Sequence, residues 1–475
     1  MNYQVSQHID NNKVFIVQRS EIEGRLDPKM ALYNRKVQDS LYPKVKLKDV
    51  LVCKPQYGAS EPGVPRSSIK EPRYIRITDI DENGLISHDE LGATAKIIEN
   101  KYILCENDIL IARSGATVGK AYIHKPALYD CFFAGYLIRF IINTDKALPE
   151  YIFTYTQLNA YKEWVNAIQR PSGQPNINSE EYQSLEIPLP NIERQQVIVD
   201  VIKSAYLQKK QKESEAQKLL DSIDAYILNE LGITIPEIKT DLKSRMFLVN
   251  RSELETRFDP YYSQGYFKEA FSALYRGNYP IYSIKSLSKL ITSGITPKSG
   301  GEAYTDDKET GIPFIRSGNI DINGDFDFED LLYIKPEIHE TVMKSSQVYK
   351  NDLMIAIVGA TIGQVGIFLD EREANINQAI ALVRLKEGNN IQYIKELIKS
   401  RVGQLSLNRL KRPVARANIN LEEISTIKIP LPPLAKQQEI ANHIYSIRQQ
   451  AKQLQEEGKT ILENAKKEVE QMIIG

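Results

Sequence analysis

Cysteine is scarce in this chain: Cys53, Cys105 and Cys131 are the only three in 475 residues, and all lie in the first half. Neither half can repeat a disulfide of the other, and such usage fits a reducing cytoplasm. No apolar run approaches the roughly 20 residues that a membrane-spanning helix needs. The opening MNYQVSQHID lacks the apolar core of a secretory signal, so a cytoplasmic protein with no membrane contact is expected. Five histidines, His8, His88, His124, His339 and His443, do not cluster with cysteines at metal-ligand spacing, and no metal site is expected. Net charge is missing too, because 61 basic residues balance 61 acidic ones. That argues against a protein that coats nucleic acid indiscriminately. It leaves room for local basic faces, since steering depends on where charge sits.

What the chain has in abundance is repetition. RPSGQPNINSEEYQSLEIPLPNIERQQVI from Arg170 returns from Arg412 as RPVARANINLEEISTIKIPLPPLAKQQEI. NDILIARSGATVGK from Asn107 returns from Asn351 as NDLMIAIVGATIGQ, and EIEGRLDP ending at Pro28 returns as ELETRFDP ending at Pro260. Periods of 20 to 50 residues mean solenoids. A period near 240 residues means one domain-sized module carried twice, with insertions in its loops.

Each copy divides in the same way. Short apolar runs such as YILCENDILIARSG, FFAGYLIRFII, DLMIAIVGA and AIALVRL read as strands. They alternate with helical patches such as YIFTYTQLNAYKEWVNAI, which together suggest an α+β domain. IPLPN from Ile187 and IPLPP from Ile429 then form extended strand exits that cannot continue as helix. A long polar helix follows each exit. Its apolar seam in the first copy runs through Ile198, Ile202, Ala205, Lys209, Lys212, Ala216, Leu219, Ile223 and Tyr226. The same positions in the second copy are Ile440, Ile444, Ile447, Ala451, Leu454, Gly458, Ile461, Ala465 and Glu468. Sustained 4–3 spacing between Lys, Gln and Glu is a coiled-coil pattern, and Gly232 is the expected C-terminal cap of the first helix. The divisions expected are 1–190 and 233–432 for the two domains, and 191–232 and 433–475 for the helices.

Catalytic signatures are absent. GATVGK at Gly115–Lys120 approximates a phosphate-cradling loop but has three residues between its glycines, Ala121 after the lysine, and Gln364 for Lys120 in the second copy. It reads better as a strand leading into a tight turn. Asp259-Pro260-Tyr261-Tyr262 lacks the second proline of an amino-methyltransferase motif, and no GxGxxG follows a strand. Asp79 and Asp81 read as solvated turn residues. A non-catalytic chain is expected.

The repeat, the two helices and the strand-to-helix junction together resemble the specificity subunit of type I restriction–modification systems over nearly the whole chain. The motifs are Gly173-Gln174-Pro175-Asn176-Ile177-Asn178, Ile187–Pro190 and Glu193-Arg194-Gln195-Gln196 in the first copy. In the second they are Ala417-Asn418-Ile419-Asn420, Ile429–Pro432 and Lys436-Gln437-Gln438, with Val414-Ala415-Arg416 replacing Ser172-Gly173-Gln174. The resemblance implies an α+β fold of two homologous target-recognition domains separated by two long helices. It implies sequence-specific binding of double-stranded DNA on behalf of methyltransferase (modification) and restriction/translocase subunits. No cofactor is expected on this chain; S-adenosylmethionine, ATP and Mg are expected on those partners. The related recognition subunits of type IIB-like systems share this architecture, and a coiled-coil scaffold with no DNA role is a third alternative.

Base readout needs Arg, Lys, Asn or Gln on loops that reach base edges, with phosphate contacts holding register. In the first domain the loop from Lys54 to Arg76 offers Lys54, Gln56, Tyr57, Arg66, Ser67, Lys70 and Arg73, and Arg113 and Ser114 precede the turn that ends in Lys120. In the second, Thr296, Lys298, Arg316, Ser317 and Asn319 are offered, followed by the basic patch Lys411, Arg412 and Arg416. The loops diverge where the junctions match: KPQYGASEPG has no letter-for-letter counterpart in TSGITPKSGG. Two readers of different base sequences would look like this, and a bipartite target is expected. The seam residues Ile198, Ile202, Leu219, Ile223, Ile440, Ile444, Leu454 and Ile461 are expected to pair the helices antiparallel. Val197, Val199, Val201 and Leu220 lie off the seam, so an exposed apolar strip for a partner subunit is expected there.

Overall fold

A computed structural model describes residues 28–36, 40–86, 91–169, 175–238, 241, 246–249, 260–298, 301–321, 324, 326, 330–411 and 418–475. The chain divides into two compact units, Met1–Glu213 with Gln455–Gly475, and Ser214–Leu454. Both divisions fall inside the long helices Ile192–Leu231 and Leu434–Ile474, so each unit owns part of both. The sheet-bearing part of a unit is called its head below.

The first head holds two four-stranded sheets. One runs in the order Gln56–Tyr57, Leu137–Phe140, Ile109–Ala112, Ala121–Ile123. The other runs Gly63–Pro65, Ala93–Ala95, Arg73–Ile75, Cys131–Phe133, its last pair parallel. The second head repeats this plan. Ser288–Ser293, Ile380–Leu385, Leu353–Ala356 and Val365–Ile367 form one sheet. The other is Tyr304–Thr305, Leu332–Ile334, Ile312–Ile315, Ala374–Ile376 and Gln347–Val348. Strands Ile109–Ala112 and Leu353–Ala356 are buried at every position, which is why they read as continuous apolar runs.

The repeated Asn-Asp ahead of these strands has a physical reason. Asn107 and Asn351 adopt left-handed backbone at φ 69° and 70°, a conformation Asn tolerates better than most residues. The next residues, Asp108 and Asp352, are buried and pair with Arg139 at 2.7 Å and Arg384 at 2.6 Å. Each carboxylate also accepts a backbone N–H, from Cys105 and Tyr349 respectively. The glycines of the turn repeat as well: Gly115 and Gly359 lie at φ 82° and 80°, Gly119 and Gly363 at 87° and 92°. The turn joins antiparallel strands, so GATVGK is a hairpin connection.

A short antiparallel pair ties each head to its helix: Lys44–Lys46 with Glu186–Pro188, and Ile281–Ser283 with Lys428–Pro430. Two side chains lock this junction in both copies. The Gln195 amide, fully buried, donates to the Pro190 carbonyl and accepts from the Leu148 N–H, both at 2.8 Å. Gln437 does the same with Pro432 and Asn390, at 2.9 Å each. The Tyr151 and Tyr393 hydroxyls donate to the carbonyls of Pro188 and Pro430 at 2.5 and 2.6 Å. The Asn-Ile-Asn motif supplies a helix cap: Asn178 with Glu181, and Asn420 with Glu423, form reciprocal capping boxes.

The long helices run antiparallel within each unit. In the first, Ile198, Ile202 and Ala205 share a core with Leu462, Ala465, Val469 and Ile473. In the second, Ile223, Ile227 and Leu231 share one with Ile440, Ile444 and Ile447. Leu219 and Leu454 are half-buried. The seam departs from the expected positions beyond Gly458: Leu462 and Val469 are buried, while Ile461 is half-buried and Glu468 exposed. A helix of 3.6 residues per turn drifts about 20° per heptad against a strict 3.5 repeat, which moves the seam by one residue. The first helix ends at Gly232, φ 65°, where the Ile233 N–H closes onto the Leu228 carbonyl.

The expected apolar strip is largely absent. Val199 is buried, and Val201 and Leu220 are half-buried against the cores of their own units, leaving Val197 at 47% exposure. The heads cover what a partner helix alone would not.

Gln195→Ala strands a part-buried N–H and a buried carbonyl, and a loss of roughly 1–3 kcal/mol in denaturant unfolding is expected. Gln437→Ala should lose about as much. Cross-linking should join position 202 to the 461–465 region and never to 444; the opposite pattern would refute the antiparallel seam.

Candidate nucleic-acid interface

The hairpin turn of each head meets three other segments, and backbone hydrogen bonds fix their register. In the first head the Arg113 N–H donates to the Tyr136 carbonyl at 3.0 Å, and the Ile177 N–H to the Arg113 carbonyl at 2.9 Å. In the second, Ile357 takes the same bonds with Ala379 and Ile419, at 2.9 and 3.0 Å. Ser114 bridges to Asn176 as Val358 bridges to Asn418. On the flanking strand Tyr57 pairs with Ile138, and Ser293 pairs with Ala381 at the matching position. Gly58 and Gly294 follow. A Cβ at either would lie 2.3 Å from the Ala134 oxygen or 1.7 Å from the Ile376 oxygen, so neither tolerates a side chain. These two glycines are a counterpart within the diverged loops that letter comparison misses.

The frame is thus common and its tip is not. Four corresponding positions carry Tyr57, Arg113, Ser114 and Tyr136 in the first head, and Ser293, Ile357, Val358 and Ala379 in the second. Above the tip the space is open: a Cβ on Gly115 or on Gly359 would meet nothing within 4 Å. The Arg113 guanidinium lies 4.8 Å from the centroid of the Tyr57 ring. The Tyr57 hydroxyl donates to Ser179 Oγ at 3.2 Å and accepts from the Ser179 N–H at 3.1 Å. Tyr136 is 66% exposed.

The other basic candidates separate into two kinds. Arg66 and Arg73 are buried. Arg66 donates to the carbonyls of Leu91, Ile69 and Glu71 at 2.8, 2.6 and 2.7 Å and lies over the Tyr129 ring. Arg73 reaches the Tyr129 hydroxyl at 3.4 Å. Ser67 binds both carboxylate oxygens of Glu71, which holds that carboxyl below its usual range. Lys120 donates to the Ile80 carbonyl, so its amine is tied to the head. Arg316 binds Asp330, and Asn319, buried, accepts from the Arg316 N–H, with Ser317 half-buried between them. The same turn in the first head is Arg76 to Asp79, and the Asp81 side chain accepts from Asn83 and Leu85; both aspartates shape turns. Lys411 donates to Asn408 at 2.9 Å, and burial pushes its amine below the usual lysine range. Arg412 and Arg416 lie outside the described residues. Lys54, Lys70, Thr296 and Lys298 stand exposed, and Gln56 donates to the Lys101 carbonyl at 3.0 Å. The structure thus brings Tyr57, Arg113 and Ser114 together at one tip. Arg66, Arg73, Arg316 and Asn319 instead hold their own loops.

Among the described residues no cluster of His, Cys, Asp and Glu could hold a metal ion, and no helix is long and apolar enough to cross a membrane.

Two heads thus share one frame and carry different side chains at matched tips. The chain belongs to the family described as Type I restriction modification DNA specificity domain, which matches residues 71–219 and 276–463. It is 23% identical over 376 residues to the specificity subunit of the type I restriction enzyme EcoBI from Escherichia coli, covering 78% of this chain and 72% of that one. It is 20% identical over 384 residues to the MjaVIII specificity subunit from Methanocaldococcus jannaschii, covering 80% and 81%. A chain solved in a study of complex assembly and conformational transition of the type I R-M system shares the fold. The TM-score is 0.51 at 14% identity, with 91% and 96% of the two chains covered. The role is therefore that of a specificity subunit and not of a methyltransferase or nuclease.

Arg66→Ala leaves three carbonyls without their donor and should cost roughly 1–3 kcal/mol of stability. Lys70→Ala, exposed, should shift the melting temperature little. Equal melting temperatures for the two variants would contradict the internal role of Arg66.

Proposed function

We propose that this chain reads a bipartite target in double-stranded DNA, one half-site per head, and directs modification and restriction subunits to it. The observation that carries this reading is the pair of tips: one backbone frame, bonded alike in both heads, presents Tyr57, Arg113 and Tyr136 once and Ser293, Ile357 and Ala379 the second time. Membership of a DNA-specificity family supports it. Side chains that differ on a fixed frame read different base edges, while the frame serves both. The chemistry then belongs to the partners, with S-adenosylmethionine, ATP and Mg held on their side. The gap between half-sites is set by the helix pair, since packed helices are stiffer than a polar linker.

Selection from randomised duplexes by the full chain, assembled with its modification subunits, should enrich two short motifs at one fixed gap. Affinity should fall steeply with salt as phosphate-bound cations are released. Lengthening both helices by about seven residues adds roughly 10 Å, so the preferred gap should widen by about three base pairs. Absence of any enriched sequence would favour a scaffold without a DNA role, and an unchanged gap would show that the helices are not the ruler.

A further inference from the structure

We infer that Arg113, braced on Tyr57, is the specificity-determining residue of the first head, and that the second head reads its half-site with no cation at the matching position. The inference rests on the reading of the chain as a DNA reader and adds to it which residue discriminates.

Arg113 differs from the other arginines that the sequence offered. Arg66 spends its guanidinium on three carbonyls, and Arg316 spends its own on Asp330. Arg113 forms no side-chain hydrogen bond among the described residues, and its contact is the face of Tyr57. A guanidinium lying on an aromatic face keeps its planar fork of N–H donors free and loses little freedom when it binds. Tyr57 is itself fixed, because its hydroxyl both donates to and accepts from Ser179, beside the cap at Asn178. The backbone of Arg113 is held at both ends by Tyr136 and Ile177. The fork is thus pre-oriented next to a turn whose outer side is open at Gly115.

Such a fork suits a guanine edge, whose O6 and N7 accept two parallel N–H bonds. Tyr136, exposed beside it, offers a flat flank. The second head keeps the two backbone bonds at this position but places Ile357, 5% exposed, where Arg113 stands, and Ser293 where Tyr57 stands. Among the described residues no two-pronged donor stands at that position. The two half-sites must therefore differ in how they are read as well as in sequence.

The test is selection from randomised duplexes by the full chain with its modification subunits, comparing wild type with Arg113→Ala and Arg113→Lys. Because the side chain of Arg113 makes no hydrogen bond among the described residues, both variants should melt close to wild type. Arg113→Ala should lose discrimination at one guanine-containing position of one half-site, by roughly 5- to 150-fold, while the gap and the other half-site stay as in wild type. Arg113→Lys should keep salt-dependent affinity yet leave the same position degenerate. Selection of an unchanged half-site by Arg113→Ala overturns the inference while leaving the DNA-reading function intact. A uniform loss of affinity with both half-sites unchanged also overturns it, since Arg113 would then be a phosphate contact. A wild-type chain that enriches no sequence overturns the underlying reading instead.

Discussion

The structure depends on one constraint: each head closes its core with a helix that belongs to the other copy of the repeat. In the first unit Leu462, Ala465 and Val469, all from the last helix, pack with Ile198 and Ile202 beneath the head. In the second, Ile223, Ile227 and Leu231 from the first helix pack with Ile440 and Ile444. Fully burying an isoleucine or leucine contributes about 1.5–3 kcal/mol, so a few such residues rival the whole net stability of a domain. Polar contacts repeat the exchange. Glu470, on the last helix, accepts the Ala160 N–H at 2.7 Å at the start of the helix Asn159–Ile168. Asp224, on the first helix, accepts the Arg401 N–H at 2.9 Å at the start of Arg401–Leu410. An acceptor placed there satisfies an orphan donor and suits the positive end of the helix dipole.

Rigidity between head and helix follows from how the junction is satisfied. A proline-rich strand exit leaves carbonyls with no ladder partner, and a buried carbonyl without a donor is costly. Gln195 and Gln437 answer with amides that bridge the exit to the head, and Tyr151 and Tyr393 add a hydroxyl to the same segment. In the second unit the ion pair of Arg448 with Glu396, 2.7 Å, adds a charged contact between helix and head. Burial alone would raise the Glu396 carboxyl, but Arg448 and Lys395 hold it below its usual range. A bend at the junction would therefore break several buried bonds at once.

How much of this could be read from sequence depended on whether the signal was periodic. The seam was legible because apolar residues at 4–3 spacing have one physical cause, and it slipped by a residue late in both helices, to Ile227 in place of Tyr226 and past Gly458, where the true helical period overtakes the heptad. The junction was legible as a motif, but its reason was not: Gln195 looks like any exposed polar residue at a helix start, and only the fold shows it fully buried. The DNA-contact candidates were the least legible. Arg66 and Arg113 share one chemistry in one head, and what separates them is whether a backbone carbonyl lies within reach. That is a property of the folded loop and leaves no mark in composition. Gly58 and Gly294 were hidden for a related reason, since two isolated glycines carry no pattern until a carbonyl is seen to press against both.

The same physics explains why the tips can differ while the frame cannot. Gly119 and Gly363 must be glycine because their backbone is left-handed and a Cβ would strike Val165 or Gln404 at 2.8 Å. Asp108 and Asp352 must be acidic because an arginine, buried at Arg139 and half-buried at Arg384, faces each of them. Positions 57, 113 and 136 answer to no such demand. Their backbone bonds are indifferent to the side chain, and the hairpin holds equally well with Arg113 and with Ile357. A recognition residue placed where stability makes no claim can be exchanged without unfolding the head. On the proposed reading, specificity sits where the fold is least particular, on turns whose glycines and buried carboxylates keep the backbone in place.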